Sequence, residues 1–288
     1  MELIKKTIDG KKHYKMERYD NVSELATVTR NREVRDIWRE KRAEMNFEKK
    51  HHFYNVSSYE EAYRYLGEGW EAPTSKMTAV IEKIAKQGTH CKTKTYNDII
   101  GFQPNVPLAI LNVPTSMINS KKISLKNKVI HIVYDAGISC GVDCEDAFKA
   151  GLNLFETVLN LEMSGYRVEL DALDATCVGR VYSFLCVNIK KANQPMNIKK
   201  MMFPICNPAF PRVIGFDWMD KCEFTEYSDG RGYPYYVEIE SGRVKRTELS
   251  SLLGDNAYYI NYKDAFNGKE YLQNLIQQGV INNKGENK

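Results

Sequence analysis

The period of the apolar positions changes several times along the chain, and each change marks an element. Residues 129–134, Val-Ile-His-Ile-Val-Tyr, form a nearly continuous β-branched run ending at Asp135, as expected of a strand covered on both faces. The period then lengthens. Phe148, Gly151, Leu152, Phe155, Val158 and Leu159 fall on one helical face, and Lys149, Asn153, Glu156 and Asn160 on the other. Asp143 is a fitting N-cap for that helix and Gly165 a fitting stop. Residues 167–172 alternate, with Val168, Leu170 and Ala172 against Arg167, Glu169 and Asp171. The stretch from Lys128 to Leu173 therefore predicts a βαβ unit with an acid, Asp135, at the mouth of its first strand. A further strand, 181–189, follows through a short polar loop containing Gly179. That link is too brief for a crossover helix, which predicts an antiparallel pair with the later strand at the sheet edge.

On either side of this unit the pattern is weaker. Asp9-Gly10 suits a tight turn and predicts an N-terminal hairpin over residues 1–20. Residues 23–49 are densely charged, with only Val34, Ile37, Trp38 and Met45 as an apolar stripe, and read as a long exposed helix or an arm. Ser57 and Ser58 precede Glu60 and Glu61, a capping signal for a helix through Leu66; Pro73 opens another that stops at Gly88. The prolines of 98–128 exclude a central strand and leave 108–111 as a short edge strand. Met201, Met202 and Phe203 look helical and stop at Pro204. Strands follow at 235–239 and 257–262, then a helix from Lys269 to Gly279 and a polar tail. The division drawn from this order is 1–97, a hairpin and helical extension, and 98–288, an α/β domain.

Composition narrows the classes. The chain has 288 residues, 43% hydrophobic, and a net charge of only +4 from 41 basic and 37 acidic residues. That is far from the concentrated charge of a dedicated nucleic-acid binder. Lys121, Lys122, Lys126 and Lys128 form a local basic cluster, a phosphate-binding patch or solvated loop lysines. Seven cysteines with no Cys-x-x-Cys pair suggest reduced thiols in a cytoplasm, and no run reaches the roughly 18 apolar residues of a membrane helix. His131, inside an apolar strand, reads as a hydrogen-bonded core histidine. There is no phosphate-binding Gly-x-x-x-x-Gly-Lys loop. Gly137-Ile-Ser139-Cys-Gly141 lacks the immediate helix of a nucleophile elbow.

From Lys128 onward the order strand, helix, strand, antiparallel strand, helices, late strand and terminal helix resembles a von Willebrand factor A-type domain. That resemblance implies an open, mostly parallel sheet with helices on both faces. The segments Ser58-Tyr59-Glu60-Glu61-Ala62 to Gly69-Trp70, Leu161 to Glu169, and Asn207 to Arg212 with Gly215-Phe216 are similar to an uncharacterised family of bacteriophages and mobile elements. A-type domains place Asp-x-Ser-x-Ser at the first strand end to hold a divalent cation. Here those positions are Asp135, Gly137 and Ser139, one hydroxyl short, so Mg²⁺ on Asp135 and Ser139 is the implied but incomplete metal site. The bland alternative is that Asp135 caps its own loop. The resemblance and the lack of a complete catalytic set favour a non-enzymatic protein that binds another protein, such as a phage- or host-encoded ATPase or assembly component, through the face around Asp135. The alternatives are a metal-assisted hydrolase or nuclease using Asp135 with Asp171, Asp174 or Glu169, and a weak nucleic-acid binder through the lysines of 121–128.

Overall fold

The computed structural model describes residues 1–8, 12–36, 46–71, 78, 82, 93–122, 129–223, 235–237, 241–243, 250–254, 256–268, 270, 272 and 274. In chain order, β1 (Glu2–Ile8), β2 (Lys12–Tyr19), α1 (Val22–Asn31), α2 (His51–Tyr54) and α3 (Tyr59–Glu68) come first. Then follow β3 (Thr93–Asp98), β4 (Gln103–Pro104), α4 (Val106–Ile110), β5 (Met117–Lys122), β6 (Val129–Asp135) and α5 (Cys144–Met163). β7 (Arg167–Val178), β8 (Val181–Lys190), α6 (Ile198–Cys206), a π-helical turn (Phe210–Gly215) and α7 (Phe216–Lys221) continue the chain. It closes with β9 (Tyr235–Tyr236), β10 (Gly242–Arg243), α8 (Ser250–Leu253), β11 (Ala257–Ile260) and α9 (Tyr262–Phe266).

The main sheet is mixed, in the order β1-β2-β8-β7-β6-β11-β10, with β9 paired to β7. Its centre runs β7, β6 and β11 in parallel, the expected βαβ unit plus one late strand. β7 and β8 are antiparallel as predicted, joined by a turn with Gly179 at φ +59°. β8, however, is not an edge. It pairs in parallel with β2, and β1 closes that side. The predicted hairpin is therefore the sheet's own rim and not part of an extension; its turn, 9–11, lies outside the described residues. Strand pairing across more than 160 positions leaves no local trace, which is why the sequence pattern misplaced it.

The side chains alternate between two cores. Tyr19, Ile130, Ile132, Tyr134, Val168, Leu170, Ala172, Leu185 and Val187 face a thick helical layer. Tyr14, Met16, Val133, Leu173, Ala175, Phe184, Cys186 and Tyr259 face the other way, where Leu252 and Leu253 of α8 cover them. On the helical side the chain from 198 to 221 lies against the sheet, with every residue from Met201 to Gly215 buried. This corrects the predicted stop at Pro204. Asn197 caps α6, and Pro204 sits inside the helix. Asn207 Oδ1 then accepts from Ala209 N (2.9 Å) and restarts the helical path, with Pro211 in the first positions of the π turn where its missing N–H costs least.

A second helical tier covers this segment. α3 is capped as predicted, Ser58 Oγ accepting from Glu61 N (3.1 Å) and Glu61 Oε2 from Ser57 N (2.6 Å). Tyr63 of α3 donates to Asp217, and Lys221 donates to Thr29 O of α1 (2.9 Å). Glu17 of β2, buried, accepts from Tyr19, from both amino groups of Arg32 (2.9 Å each) and from Trp218 Nε1 (2.8 Å). Burial raises its pKa, but these donors more than offset that, so it stays an anion. Of the predicted 23–49 helix the described residues show α1, a break after it and Asp36 again helical, 37–45 lying outside them. The predicted 73–88 and 269–279 helices also fall mostly outside.

α5 behaves as its sequence predicts. Asp143 Oδ1 accepts from Asp146 N (2.8 Å), and Gly165 takes φ +87° past its end. Gly151 has a stronger reason than helix periodicity. A Cβ there would collide with the backbone of Ile205 and Cys206 where α5 crosses α6. Gly151→Ala is therefore expected to destabilise the fold by about 1–3 kcal/mol in urea unfolding. Gly67→Ala, with nothing near its Cβ on α3, is expected to be neutral or to stabilise by up to about 1 kcal/mol.

Candidate functional site

The strand-end acid is closed from both sides. Asp135 is fully buried, its Oδ1 accepting from Gly137 N (3.0 Å) and its Oδ2 from Tyr259 Oη of β11. This is the loop-capping arrangement, with Gly137 supplying an N–H. Burial pushes the Asp135 pKa well above the usual carboxylate range, and the Tyr259 and Gly137 donors work against that push. Ser139 is exposed, and its Oγ accepts from Gly141 N (3.4 Å).

The loop between β6 and α5 is fastened by Arg212 of the π turn, a residue whose role the sequence pattern did not reveal. Its Nη1 donates to Phe53 O (2.8 Å), and its Nη2 donates to Ser139 O (2.9 Å) and Val142 O (2.6 Å). The guanidinium lies 4.1 Å from the Phe53 ring centre. Three carbonyls take the place of an acid partner, and desolvation lowers the Arg212 pKa accordingly.

The acids expected to assist Asp135 make no hydrogen bond to it, although the neighbouring Asp174 adds to the rise in its pKa. Asp174 lies on the opposite face of the sheet, its Oδ2 against Gly215 where a Cβ would collide with it. That oxygen has no hydrogen-bond partner, and burial alone raises the carboxyl to about 7. Asp171 faces the Asp135 side but is tied elsewhere, accepting from Arg18 Nη2 (3.0 Å) and Asn188 Nδ2 (2.7 Å), with His131 Nε2 at 2.9 Å. Burial raises its pKa, yet His131, Arg18 and Asn188 reverse the sign and hold it below the ordinary value. His131 is thus the hydrogen-bonded histidine expected. A hard cation needs about six oxygen ligands. Asp135 has none to spare, and among the described residues no three His, Cys, Asp or Glu side chains form a metal-holding group. The residues do not fit Mg²⁺.

The largest anomaly lies outside both cores. β3, β5 and β4 form a separate small sheet, with α4 between β4 and β5. The 108–111 stretch is helical in this structure and not an edge strand, because Pro107 sits in the first turn of α4, where proline is favourable. No residue from 95 to 119 is buried. Ile99, Ile100, Phe102, Val106, Ile110 and Leu111 are between 59% and 78% exposed. Their backbone is nevertheless tied down. Phe102 N donates to Ile118 O (3.0 Å), Asn105 N to Ser116 O (2.7 Å) and Val113 N to Leu108 O (3.0 Å). Asn119 Nδ2 donates to Ile100 O (3.0 Å), and Gly101 is needed because a Cβ would strike the Ile118 carbonyl.

A signal for this surface was present in the sequence. The 22 residues from Ile99 to Ser120 contain no Asp, Glu, Lys, Arg or His. In a chain with 27% charged residues, 22 positions would carry about six. Of the lysine cluster, Lys121 and Lys122 end β5 with side chains outside the described residues, and Lys126 and Lys128 lie outside them altogether.

Asp174 supplies a pH test. A carboxyl whose folded pKa is raised binds more protons folded than unfolded between about pH 4 and 7, so stability falls as pH rises through that window. Asp174→Asn removes the charge. Urea unfolding is expected to show the variant more stable than wild type at pH 8, by at most about 4 kcal/mol, with the difference closing towards pH 4.

Among the described residues no helix is long and apolar enough to cross a membrane. No curated protein and no solved structure matches the chain. The model of one family, described as Domain of unknown function (DUF7192), matches residues 5–276, nearly the whole length, and the chain belongs to that family.

Proposed function

We propose that the chain is a non-enzymatic interaction protein that docks another protein on the apolar surface of Ile99, Ile100, Phe102, Val106, Ile110 and Leu111. The observation that carries this reading is the pairing of high exposure with absence of charge on a backbone held in place by hydrogen bonds. Depletion of charged residues marks the centre of protein interfaces, whereas ordinary exposed loops are rich in them. Six side chains exposing on the order of 100 Å² each bring together as much apolar area as the largest patch on most monomers. A surface already fixed before binding spares much of the ordering entropy of association.

The occupant argued for is a partner protein with its own apolar face. Pro104, Pro107 and Pro114 together with the interspersed Gln103, Asn105 and Asn112 give a stiff surface with hydrogen-bonding groups among the apolar ones. That mixture suits a protein surface better than a lipid one, which favours a long helix with a basic face. This reading keeps the interaction role that the A-type resemblance implies and moves it away from the strand-end loop.

A photo-crosslinking residue in place of Phe102, introduced in cells that carry the gene, is expected to capture one protein reproducibly. Ile100→Asp with Ile110→Asp should leave Tm nearly unchanged, both side chains being exposed, and should reduce capture of that same protein by at least about tenfold. Equal capture by the double variant overturns the proposal. So do crosslinks only to a second copy of the chain or only to lipid.

A further inference from the structure

The two edges of the small sheet differ. β4 is two residues long, and one of them, Pro104, has no N–H to offer. β3 runs from Thr93 to Asp98 in unbroken register with β5 and contains no proline. Which of its backbone groups face outward follows from the other side of β5. Ile118 O accepts from Phe102 N (3.0 Å) and Ser116 O from Asn105 N (2.7 Å), so residues 116 and 118 turn towards β4. Backbone direction alternates along a strand, and directly opposite residues of an antiparallel pair either bond each other or both turn away. Asn97 stands opposite Ile118, Thr95 opposite Ser120 and Thr93 opposite Lys122. Thr93, Thr95 and Asn97 therefore turn their N–H and C=O groups away from β5. Among the described residues no other strand pairs with β3, and no other backbone bond reaches these three. Thr95, Tyr96 and Asn97 are exposed.

An open edge of this kind is a template for a further strand. The sequence of β3 says which strand fits. Lys94, Tyr96 and Asp98 share one face by the period of two, with a cation two residues before Tyr96 and an anion two after it. Asp98 Oδ1 accepts from Ile99 N (2.8 Å), which holds this carboxylate at the strand end. A second β3 laid antiparallel with Tyr96 opposite Tyr96 sets Lys94 opposite Asp98 at both ends. The same register sets Thr95 opposite Asn97. Both turn their backbone groups outward, so the ladder closes without a shift. A lysine on an edge ordinarily guards it against pairing, but here Asp98 turns the guard into a match.

We propose that two copies of the chain associate through β3, antiparallel about Tyr96, so that their small sheets become one continuous sheet. The occupant is a second copy because the charges of β3 complement β3 itself. Opposite charges and aromatic pairs placed directly across two strands each add modest stabilisation. A strand pair this short buries less than a standard interface, so a dissociation constant of about 10–100 μM is expected. The pairing uses the backbone of β3 and is independent of the docking role of the apolar side chains.

The test is sedimentation equilibrium of the full chain from about 5 to 300 μM, where a reversible monomer–dimer equilibrium is expected. Lys94→Asp alone and Asp98→Lys alone each place like charges across the join and should weaken association by about tenfold or more. The two together restore opposite charges and should restore the dimer. Register is read by oxidation with glutathione disulfide in a Cys91→Ser, Cys140→Ser background, Cys140 being an exposed thiol. Tyr96→Cys should give a covalent dimer and Thr95→Cys should not, since Thr95 lies opposite Asn97 and not opposite itself. A monomer throughout, a double exchange that does not restore association, or equal crosslinking at 95 and 96 overturns the proposal. So does association lost in Ile100→Asp with Ile110→Asp but kept in Lys94→Asp, which would assign it to the apolar surface.

Discussion

The chain from 198 to 221 has the sheet on one side and helices on the other, and that constraint governs the rest of the structure. A backbone without access to water must satisfy its N–H and C=O groups internally. Helix is the local solution, and it persists through Pro204, Asn207 and Pro211 by means of an internal restart and a π turn. Several polar side chains of the segment find partners outside it. Arg212 binds the loop after β6, Asp217 binds Tyr63 and Lys221, and Trp218 binds Glu17. These contacts join the N-terminal hairpin, the outer helices and the strand-end loop to one buried strut. Each of them removes a polar group from solvent and compensates it, so loss of one partner would leave the other stranded at a cost of several kcal/mol.

The same strut removes the chemistry that the strand end suggested. Open α/β sheets bind ligands where loops part beyond the strand ends. Here Arg212 draws the loop down by its carbonyls, and Tyr259 fills the space in front of Asp135. The acids of β7 split between the two faces, because neighbours along a strand point opposite ways: Asp171 lies on one side and Asp174 on the other. The pleat therefore turns Asp174 away from Asp135, while Asp171, on the Asp135 face, is taken up by Arg18, Asn188 and His131.

Much of the local structure was legible. The β-branched run of β6, the caps at Asp143 and Ser58 and the stop at Gly165 are signals carried by residues next to one another. The hidden parts depend on distant or missing partners. Tyr259 stands 124 positions from Asp135, and the pairing of β2 with β8 joins His13–Tyr19 to Val181–Val187. The buried strut is apolar all round, so it shows no helical period, and its three prolines read as breaks. His131 was read correctly because a polar residue in a covered strand must find a partner, although nothing nearby named Asp171. The uncharged run 99–120 is visible in the sequence, but its prolines suggest only a short edge strand at 108–111 and do not point to a surface.

The small sheet differs from the body in what holds it. The body is held by burial, with polar groups placed where they must be compensated. The small sheet buries no side chain from 95 to 119, so short-range hydrogen bonds, prolines and Gly101 fix its shape. Such bonds contribute roughly 1 kcal/mol each in water, enough to set a conformation and too little to hide six large apolar side chains. Those side chains could have been charged with little loss to the fold, because they are 59–78% exposed. Among the described residues nothing in the folded chain explains their apolar character. On the proposed docking role, contact with a second molecule accounts for both the missing charges and the backbone that holds the apolar groups outward.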